Sequence, residues 1–482
     1  MPRILVVGQS HLAARLGQLA RRLGVKAALW TGGEPAAETL QSWKGLQVHP
    51  PGLDIAELLE APEALEADAA LFCDVRDEQN LSRALAFRDA CPKLRLVIAL
   101  ADPELGRKVA RELENCAVLS SPELSAPCFA AAALRRGFPF ALDFGGEAYA
   151  LGAAPEDESQ GVPGLRPLRD LVASGPRAPE EPGLQGGLAR LTGGVDRYLL
   201  LLLVLIFVTL AGATAYFHFT QGLHWIQALY FVVTTFCTVG YGDYSLRDAP
   251  DSAKLVGVLL MLTSVTLTAC LFAIVTNILV QKRGDALEGR RRFHLRNHVV
   301  VCGLGTLGAA VATRLRDLGV PVIVIERDPA NPLLQELSFR RIPYMVSDAT
   351  HARALWDANA GRARALVCAI NDDLTALEIG LAAKALRPAL HVVLRIFDGG
   401  FADRIERHFH IHTALSASAL AAPAFLAHSL DSRALTLLED AGGWQVLAER
   451  GLQEEPFPGE RPLAMGSRVL AMVPMARLWP WA

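Results

Sequence analysis

Two long charge-free segments constrain this chain more than anything else in it. Tyr198 to Phe217 reads YLLLLLVLIFVTLAGATAYF, and a second such run extends from Leu255 to Val280. Each is long enough to cross about 30 Å of hydrocarbon as a helix. Tyr198 at one end of the first run, and Tyr216 and Phe217 at the other, are placed like interfacial aromatics. Between the runs, Trp225 to Phe236 is apolar but only about a dozen residues long, too short to cross. It predicts a re-entrant helix. Non-helical backbone survives at membrane depth only where it lines a cavity or is buried in protein. Two spans cannot enclose such a cavity alone, so an oligomer is expected. Lys282, Arg283, Arg290, Arg291 and Arg292 follow the second run, and Arg190 and Arg197 precede the first. The intervening segment has Arg247 and Lys254, offset by Asp248 and Asp251. Basic residues favour the cytoplasmic side, so both termini are expected there, with the chain in the cell (inner) membrane.

The re-entrant helix runs into Thr238-Val239-Gly240-Tyr241-Gly242, followed by Asp243. A dehydrated potassium ion needs oxygens to replace its water. The carbonyls of Thr238, Val239, Gly240 and Tyr241, with the Thr238 hydroxyl, supply stacked rings of them if four copies meet on an axis. The carbonyls face one way only if alternate residues take positive φ, which glycine does at little cost. The competing interpretation, a strand ending in a Gly-rich turn, fits poorly between two spans.

The 482 residues fit about three domains. A net charge of −3 gives no reason to expect nucleic-acid binding. The eight cysteines (Cys73, Cys91, Cys116, Cys128, Cys237, Cys270, Cys302 and Cys368) form no CxxC pair and read as buried thiols in a reducing compartment. The chain runs straight into Arg3-Ile4-Leu5-Val6-Val7-Gly8, a strand and turn, with no signal-peptide pattern.

Span, short helix, TVGYGD and span together resemble the pore module of two-transmembrane potassium channels over residues 196–283. In that alignment Ser264 stands where many relatives carry a hinge glycine. A serine bends a helix by bonding back to its backbone. Thr263, Ser264, Thr266 and Thr268 either face a wet cavity or satisfy carbonyls of their own helix.

A different pattern follows the spans. Val299 to Cys302 is a buried-strand run, then come Gly303-Leu304-Gly305-Thr306-Leu307-Gly308, an Ala/Leu/Arg helix, and the strand Val322 to Ile325 ending on Glu326. This is GxGxxG with a strand before it, a helix after it and an acid about 20 residues on. The glycines make a tight turn and admit a pyrophosphate to the helix N-terminus, where Thr306 and Leu307 begin the first turn. The Glu326 carboxylate accepts from ribose hydroxyls, with Arg327 beside it. The alternative is that the glycines serve only helix–strand packing. Further strands are expected at Arg341 to Val346, Ala365 to Ala369 and His391 to Ile396. Helices are expected to start at Ser347-Asp348-Ala349-Thr350 and Asn371-Asp372-Asp373. Such alternation predicts a parallel sheet with helices on both faces.

Residues 297–430 resemble an RCK domain, the TrkA-N type that regulates potassium conductance. The resemblance implies domains that pair into a gating ring. It also implies a small-molecule regulator: a nucleotide such as ADP, ATP or NAD(H), or Ca2+. Asp348 matches that family's GDxT-type loop, with Ser347 replacing the glycine. For Ca2+ the candidates are Asp348, Asp372 and Asp373, with Ile370 where another acid would help. Their alternative role is helix capping.

The first 150 residues repeat this pattern at an offset of 295–296. Ile4 to Gly8 matches Val299 to Gly303, Ala70 to Cys73 matches Ala365 to Cys368, Asp77-Glu78 matches Asp372-Asp373, and Asp102 matches Asp398. Ala117 to Phe129 matches Thr413 to Phe425. The repeat therefore resembles a second RCK domain, but Ser10 and Ala13 replace Gly305 and Gly308, and Thr31 replaces Glu326. It is expected to be structural and to bind no nucleotide in the same way.

The predicted architecture is multi-domain: an α-helical two-transmembrane pore module flanked by two α/β Rossmann-like domains. The boundaries are 1–150 for the degenerate copy, 151–195 for a flexible Pro/Gly/acid-rich linker, and 196–283 for the pore module. A second linker (284–297), the nucleotide-binding copy (298–430) and a small subdomain (431–482) follow. In the last, strands are expected at Gly442 to Ala448 and Arg468 to Val473; Trp479 and Trp481 lie in the last four residues.

The resulting expectation is a potassium-selective, ligand-gated homotetramer in the lipid bilayer, with no enzymatic activity. Its rivals are a calcium-gated channel whose Rossmann domains bind no nucleotide, a regulator docking onto another pore, and a membrane-tethered NAD-dependent oxidoreductase. The regulator leaves the TVGYG string unexplained. The oxidoreductase needs an acid/base constellation, and His351 stands alone.

Overall fold

Each end of the chain builds a six-stranded parallel sheet, and the two share one strand order. The structure, a computed structural model, describes residues 2–34, 37–49, 54–135, 140–152, 164–174, 197–287, 293, 295–397, 399–409, 411–440, 443–465 and 467–478. Arg190, Arg290, Arg291, Arg292, Asp398, Gly442, Trp479 and Trp481 lie outside the described residues. So do most of the stretches expected as linkers.

The chain forms two units: Met1–Ala178 with Arg291–Ala482, and Pro179–Arg290. In the first unit, the N-terminal strands are β1 (Arg3–Val7), β2 (Lys26–Trp30), β3 (Gln47–Val48), β4 (Ala69–Phe72), β5 (Arg95–Ala99) and β6 (Cys116–Leu119). Their order is β3-β2-β1-β4-β5-β6. An antiparallel sheet follows, made of β7 (Phe140–Phe144), β8 (Glu147–Gly152) and β9 (Gly164–Pro167). After the helical unit come β10 (Val299–Cys302), β11 (Val322–Glu326), β12 (Tyr344–Val346), β13 (Ala365–Cys368), β14 (His391–Arg395) and β15 (Thr413–Leu415). They are ordered β12-β11-β10-β13-β14-β15. The central strands β1, β4, β10 and β13 are buried almost throughout, as parallel strands covered on both faces must be.

The registers fix the internal repeat. Val7 pairs with Trp30 and Phe72. Cys302 pairs with Ile325 and Cys368. Val7 thus corresponds to Cys302 and Phe72 to Cys368, so the offset changes from 295 to 296 before β4. The matches of Ala70 to Cys73 and of Asp77 are therefore one residue out. Ala69 to Phe72 corresponds to Ala365 to Cys368, and Asp77 to Asp373, each the first residue of a 14-residue helix.

The two copies exchange a helix. The helix Ser121–Leu134 leaves its own sheet and packs among Val299, Val301, Leu304 and Val311 of the other copy. The helix Ala417–Leu430 packs among Ile4, Val6, Leu16 and Leu71 in return. Both are alanine-rich, which permits close approach, and each buries one phenylalanine completely, Phe129 or Phe425. Such a ring is worth about 1.5–3 kcal/mol. Polar contacts fasten the exchange: His391 Nε2 lies 2.7 Å from the Ala132 carbonyl, and the Arg95 guanidinium donates to the His428 carbonyl.

The final strands, β16 (Ala434–Asp440), β17 (Gly443–Gly451), β18 (Arg461–Met465) and β19 (Arg468–Pro474), form an antiparallel sheet ordered β16-β17-β19-β18. Leu447, Leu470 and Met472 of this sheet share a core with Leu142, Phe144 and Leu151 of the smaller one. The stretch 151–195 is thus not all linker. It contains the end of β8, then β9, then the helix Leu168–Ser174. Leu168 and Leu171, three apart, lie on one helix face and are fully buried. The surrounding Pro and Gly residues concealed that short pattern.

One loop holds both chain segments that lead to the helical unit. The Arg364 guanidinium is buried and donates to the carbonyls of Leu134 (3.2 Å), Leu171 (3.2 Å) and Val172 (3.1 Å), the last two in the final turn of Leu168–Ser174. A cation is favourable at such carbonyl ends. On the other segment, Phe293 N–H donates to the Asp357 carbonyl and Asn297 N–H to Arg362. The Asn359 amide donates to the Leu295 carbonyl at 2.8 Å, and Arg364 N–H to His298 at 2.7 Å.

In the helical unit, an outer helix Arg197–Gln221, a short helix Trp225–Phe236 and an inner helix Asp251–Leu287 pack around Phe217, Ala228, Val232, Leu260 and Leu267. Within the outer and inner helices, Leu199–Gln221 and Asp251–Thr276 are long and apolar enough to cross a membrane. The short helix has the predicted bounds. The inner helix runs past the expected boundary at 283. For Arg197, Tyr198, Lys282 and Arg283 only the backbone is described.

Candidate functional sites

The helix Trp225–Phe236 delivers the chain directly into Thr238–Gly242. Thr234 anchors the transition, its carbonyl accepting from the N–H groups of Val239 (2.9 Å) and Gly240 (3.2 Å). Positive φ occurs at Thr238 (59°), Gly240 (49°) and Gly242 (80°), and not at Val239 or Tyr241 between them. Glycine enters this region freely. Threonine does so at a cost of about 1–3 kcal/mol, a strain that persists only where the surroundings impose it. The alternation therefore begins two residues earlier, at Thr238, than the two glycines alone imply. Val239 and Tyr241 side chains are more than half exposed within one chain. After the loop, Gly257 lets the inner helix approach closely, since a Cβ there would stand 2.7 Å from Leu246 Cδ1.

Of Thr263, Ser264, Thr266 and Thr268 in the inner helix, three bond to carbonyls of their own helix. Thr263 Oγ1 donates to Leu259 O (2.7 Å), Ser264 Oγ to Met261 O (2.8 Å) and Thr266 Oγ1 to Leu262 O (2.9 Å). Ser264 is fully buried. For these three residues the self-satisfying role describes the geometry.

In the other unit, the three glycines at the start of the helix Thr306–Asp317 have three different environments. Gly303 has φ 92° and lies against Ile370, so it shapes the turn. At Gly308 an added Cβ would stand 2.0 Å from the Gly303 carbonyl oxygen, so it serves packing. At Gly305 an added Cβ meets nothing within 4 Å, and its φ of −84° suits any residue. Close contacts explain the first and third glycines, while the middle one, the helix cap, has no packing role.

Gly305 borders a cavity of about 340 Å3, lined also by Gly303, Glu326, Arg327, Asn331, Ser347, Asp348, Asn371 and Asp372. Glu326 is held by two backbone donors, Leu304 N–H to Oε2 at 2.6 Å and Asp328 N–H to Oε1 at 2.8 Å. Its remaining lone pairs are available to hydroxyls. Asn331, which the motif did not single out, ties the loop by donating to Leu304 O at 2.8 Å. Thr306, Leu307 and Gly308 do not line the cavity. Leu307 points into the core, and Thr306 faces a separate cleft.

The acidic candidates are engaged locally. Asp348 accepts from Thr350 N–H (2.9 Å) and hydroxyl (2.8 Å), which hold its carboxyl below the usual range. It begins a turn, and the helix starts only at Ala352. Asp372 accepts from the Thr375 hydroxyl (2.5 Å) and N–H (2.7 Å), which lower its carboxyl in the same way, and caps Asp373–Leu386. Asp373 turns away and accepts from Phe397 N–H at 3.0 Å. Among the described residues no group of three His, Cys, Asp or Glu side chains has a metal-binding arrangement. Cys302 and Cys368 are fully buried, and burial raises both thiols, Cys368 to about 12; the expected burial does not extend to Cys237 and Cys270, which are exposed on the helical unit of one chain. His351 is an exposed helix cap.

The equivalent place in the N-terminal copy is filled from within. Gly8 keeps the turn, with φ 139°. The Ser10 hydroxyl bonds to Cys73 O, Ala13 is buried, and the buried Thr31 hydroxyl bonds to Gly33 O. Arg83 stacks over Trp30 at 4.9 Å and pairs with the buried Asp74 at 2.7 Å. Arg83 stands where the other copy has Ile379, a difference visible in the sequence once the register is fixed.

Residues 203–281 match the family model described as Ion channel, and residues 299–417 match the TrkA-N domain model. The chain is 27% identical over 183 residues to Potassium channel protein 1 of Methanocaldococcus jannaschii, covering 36% of this chain and 54% of that protein. It is 24% identical over 185 residues to Voltage-gated potassium channel Kch of Escherichia coli, covering 38% and 44%. The chain spans between a third and three-fifths of the length of such relatives. A solved structure described as the GsuK channel bound to NAD has a TM-score of 0.50 at 14% identity, covering 99% of this chain and 77% of that one, which is a likeness of fold.

Proposed function

We propose that a chain carrying a two-span ion-channel module and a TrkA-N domain, homologous to archaeal potassium channel proteins, forms a potassium-selective channel gated by a nucleotide. The observation that carries the conduction half is the alternation of positive φ at Thr238, Gly240 and Gly242. That alternation turns successive carbonyls toward one side, as a cage for a dehydrated cation requires. One chain supplies one wall, and the exposed side chains of Val239 and Tyr241 need neighbours. Both features favour a homotetramer. The span lengths and basic flanks favour the cell (inner) membrane with both termini in the cytoplasm. Nothing in the geometry calls for catalysis.

For gating, Gly305 carries the reading, because it opens the cavity at a helix N-terminus and has no packing role. Phosphate oxygens belong there, and ribose hydroxyls beside Glu326. Calcium is disfavoured by the local engagement of Asp348, Asp372 and Asp373. The Asp348 turn leads through the helix Ala352–Asp357 into the loop that holds both connecting segments. A nucleotide that prefers one shape of this unit would bias the pore through that loop.

The test is potassium and sodium flux in liposomes with ADP, ATP, NAD, NADH or calcium added. NAD comes first because a protein of similar fold is described with it. Gly240→Ala should abolish selectivity for potassium, and retained selectivity would refute the conduction reading. Glu326→Ala should remove the nucleotide response, and an intact response would refute the site.

A further inference from the structure

Side chains at and after the end of β11 grip the turn that follows β10. Leu304 N–H donates to Glu326 Oε2 at 2.6 Å, and Leu304 O accepts from the Asn331 side-chain amide at 2.8 Å. The second bond matters for what lies beside it. Leu304 O and Gly305 N–H belong to one trans peptide, in which the two point in opposite directions. Holding the carbonyl on Asn331 therefore fixes the direction of Gly305 N–H, away from Asn331. Glu326 does not substitute, because Leu304 N–H belongs to the preceding peptide. Among the described residues nothing accepts from Gly305 N–H, and Gly305 borders the cavity of about 340 Å3.

Folding does not require this grip. In the N-terminal copy Gly8 makes the same turn, with φ 139° and its N–H on Trp30 O at 2.9 Å. Gly303 has φ 92° and its N–H on Ile325 O at 2.8 Å. Yet that copy has Thr31 in place of Glu326, and neither Pro35 nor Ala36, which the offsets of 296 and 295 place opposite Asn331, carries an amide side chain. Its pocket is the one filled from within. The grip and the open cavity occur together. Asn331 also serves its own loop, since its Oδ1 accepts from Leu333 N–H at 3.0 Å, at the start of the helix Leu333–Phe339. That bond needs only an oxygen, so it leaves the amide nitrogen unexplained. The nitrogen goes to Leu304.

We propose that Asn331 is a positioning residue for phosphate. Its amide holds the Leu304–Gly305 peptide in the one orientation that leaves Gly305 N–H free to donate to a phosphate oxygen in the cavity. Without that bond the peptide rotates, and the donor is no longer fixed before the ligand arrives. This role rests on the cavity's taking a nucleotide, as proposed above.

The probes are ADP and adenosine, which differ only by the phosphates. Each displaces a fluorescent ADP analogue from the full chain in lipid nanodiscs. Asn331→Ser separates the two bonds of Asn331 without changing charge. A serine oxygen still accepts from the N–H two residues on, whereas the side chain is too short to reach Leu304 O. The melting temperature should stay near wild type. ADP should bind about ten-fold more weakly, the lower end for losing a hydrogen bond to a charged group, and adenosine should bind as before. A serine variant with the wild-type ratio of ADP to adenosine affinity would overturn the role of Asn331. So would equal losses for both probes, which mark a general loss of loop structure. In either case the nucleotide site itself stands if Glu326→Ala weakens both probes. A wild-type chain that binds ADP no more tightly than adenosine, or binds neither, would overturn the site and this role together.

Discussion

The middle glycine of the proposed nucleotide loop separates a ligand site from a packing motif by experiment. At Gly305 an alanine Cβ meets no atom within 4 Å and φ is −84°, so folding should barely register the change. The loss is that of a glycine helix cap for alanine, of the order of 0.5 kcal/mol. At Gly308 the added carbon would stand 2.0 Å from the Gly303 oxygen, and 3.1 Å from the carbon of that same carbonyl. Helix and strand must then separate, which for overpacking costs about 1–3 kcal/mol. Ligand binding should invert the order. A methyl group at 305 occupies the space beside the helix N-terminus, and an affinity loss of about 10–100-fold corresponds to about 1.4–2.8 kcal/mol. Thermal unfolding and calorimetry with ADP and NAD on each variant measure both quantities. A Gly305→Ala protein that keeps wild-type stability and wild-type affinity would refute the assignment of phosphate to this loop.

Arg364→Met should destabilise the sheet unit by about 3 kcal/mol, since three buried carbonyls lose a charged donor, and Arg364→Lys should recover part of it; urea titration followed by tryptophan fluorescence reads this, and unchanged midpoints would contradict the clasp. Two groups, the buried His298 and the partly exposed Asp143, should give opposing pH slopes. Burial lowers His298 to about 4, so the unfolded chain takes up its proton first on acidification, and stability from this residue is lost as pH falls from about 6.5 to 4. Burial raises Asp143 to about 6 despite its pairing with Arg314, so its contribution is full below about pH 4 and is lost as pH rises through 6. Stability profiles of His298→Gln and Asp143→Asn should therefore diverge from wild type with opposite signs between pH 4 and 6.5, and parallel profiles would contradict both assignments.

The membrane part was legible because its constraints are local. Apolar length sets the spans, and the helix Trp225–Phe236 begins and ends where the sequence places it. The sheets were legible from alternation and from the repeat. The helix exchange was not. Ser121–Leu134 and Ala417–Leu430 read as ordinary apolar helices, and which sheet each covers is decided by chain reach and by complementarity between copies, neither of which a local pattern carries. Leu168–Ser174 was missed for a related reason: two leucines three apart are a weak signal until a partner surface buries them. Asp77 was matched to Asp372 because a one-residue shift leaves hydrophobic periodicity almost unchanged. Only strand register, or the shared bond that Ala101 N–H donates to Asp77 and Phe397 N–H to Asp373, removes the ambiguity.

The exchange gives the degenerate copy a function that its own residues do not. Because each copy covers the sheet of the other, the pair is built from one chain and its stoichiometry is fixed. One member has an open cavity beside Gly305, and the other is occupied by Arg83, Trp30 and Asp74. His11 of the filled copy stacks on Phe397 at 4.5 Å, and Arg15 donates to its carbonyl at 2.5 Å. Phe397 N–H in turn bonds Asp373, next to cavity-lining Asp372. The filled copy thus buttresses the edge of the open one. Under the proposed tetramer, four chains bring four open cavities into a ring of eight domains. Cooperativity cannot exceed the number of sites. The nucleotide dose–response of flux should therefore have a Hill coefficient no greater than four, and removing the buttress with His11→Ala and Arg15→Ala should shift the midpoint without raising that ceiling. A coefficient above four would mean that the N-terminal copy also binds, and that the Arg83–Asp74 pair opens to admit the ligand.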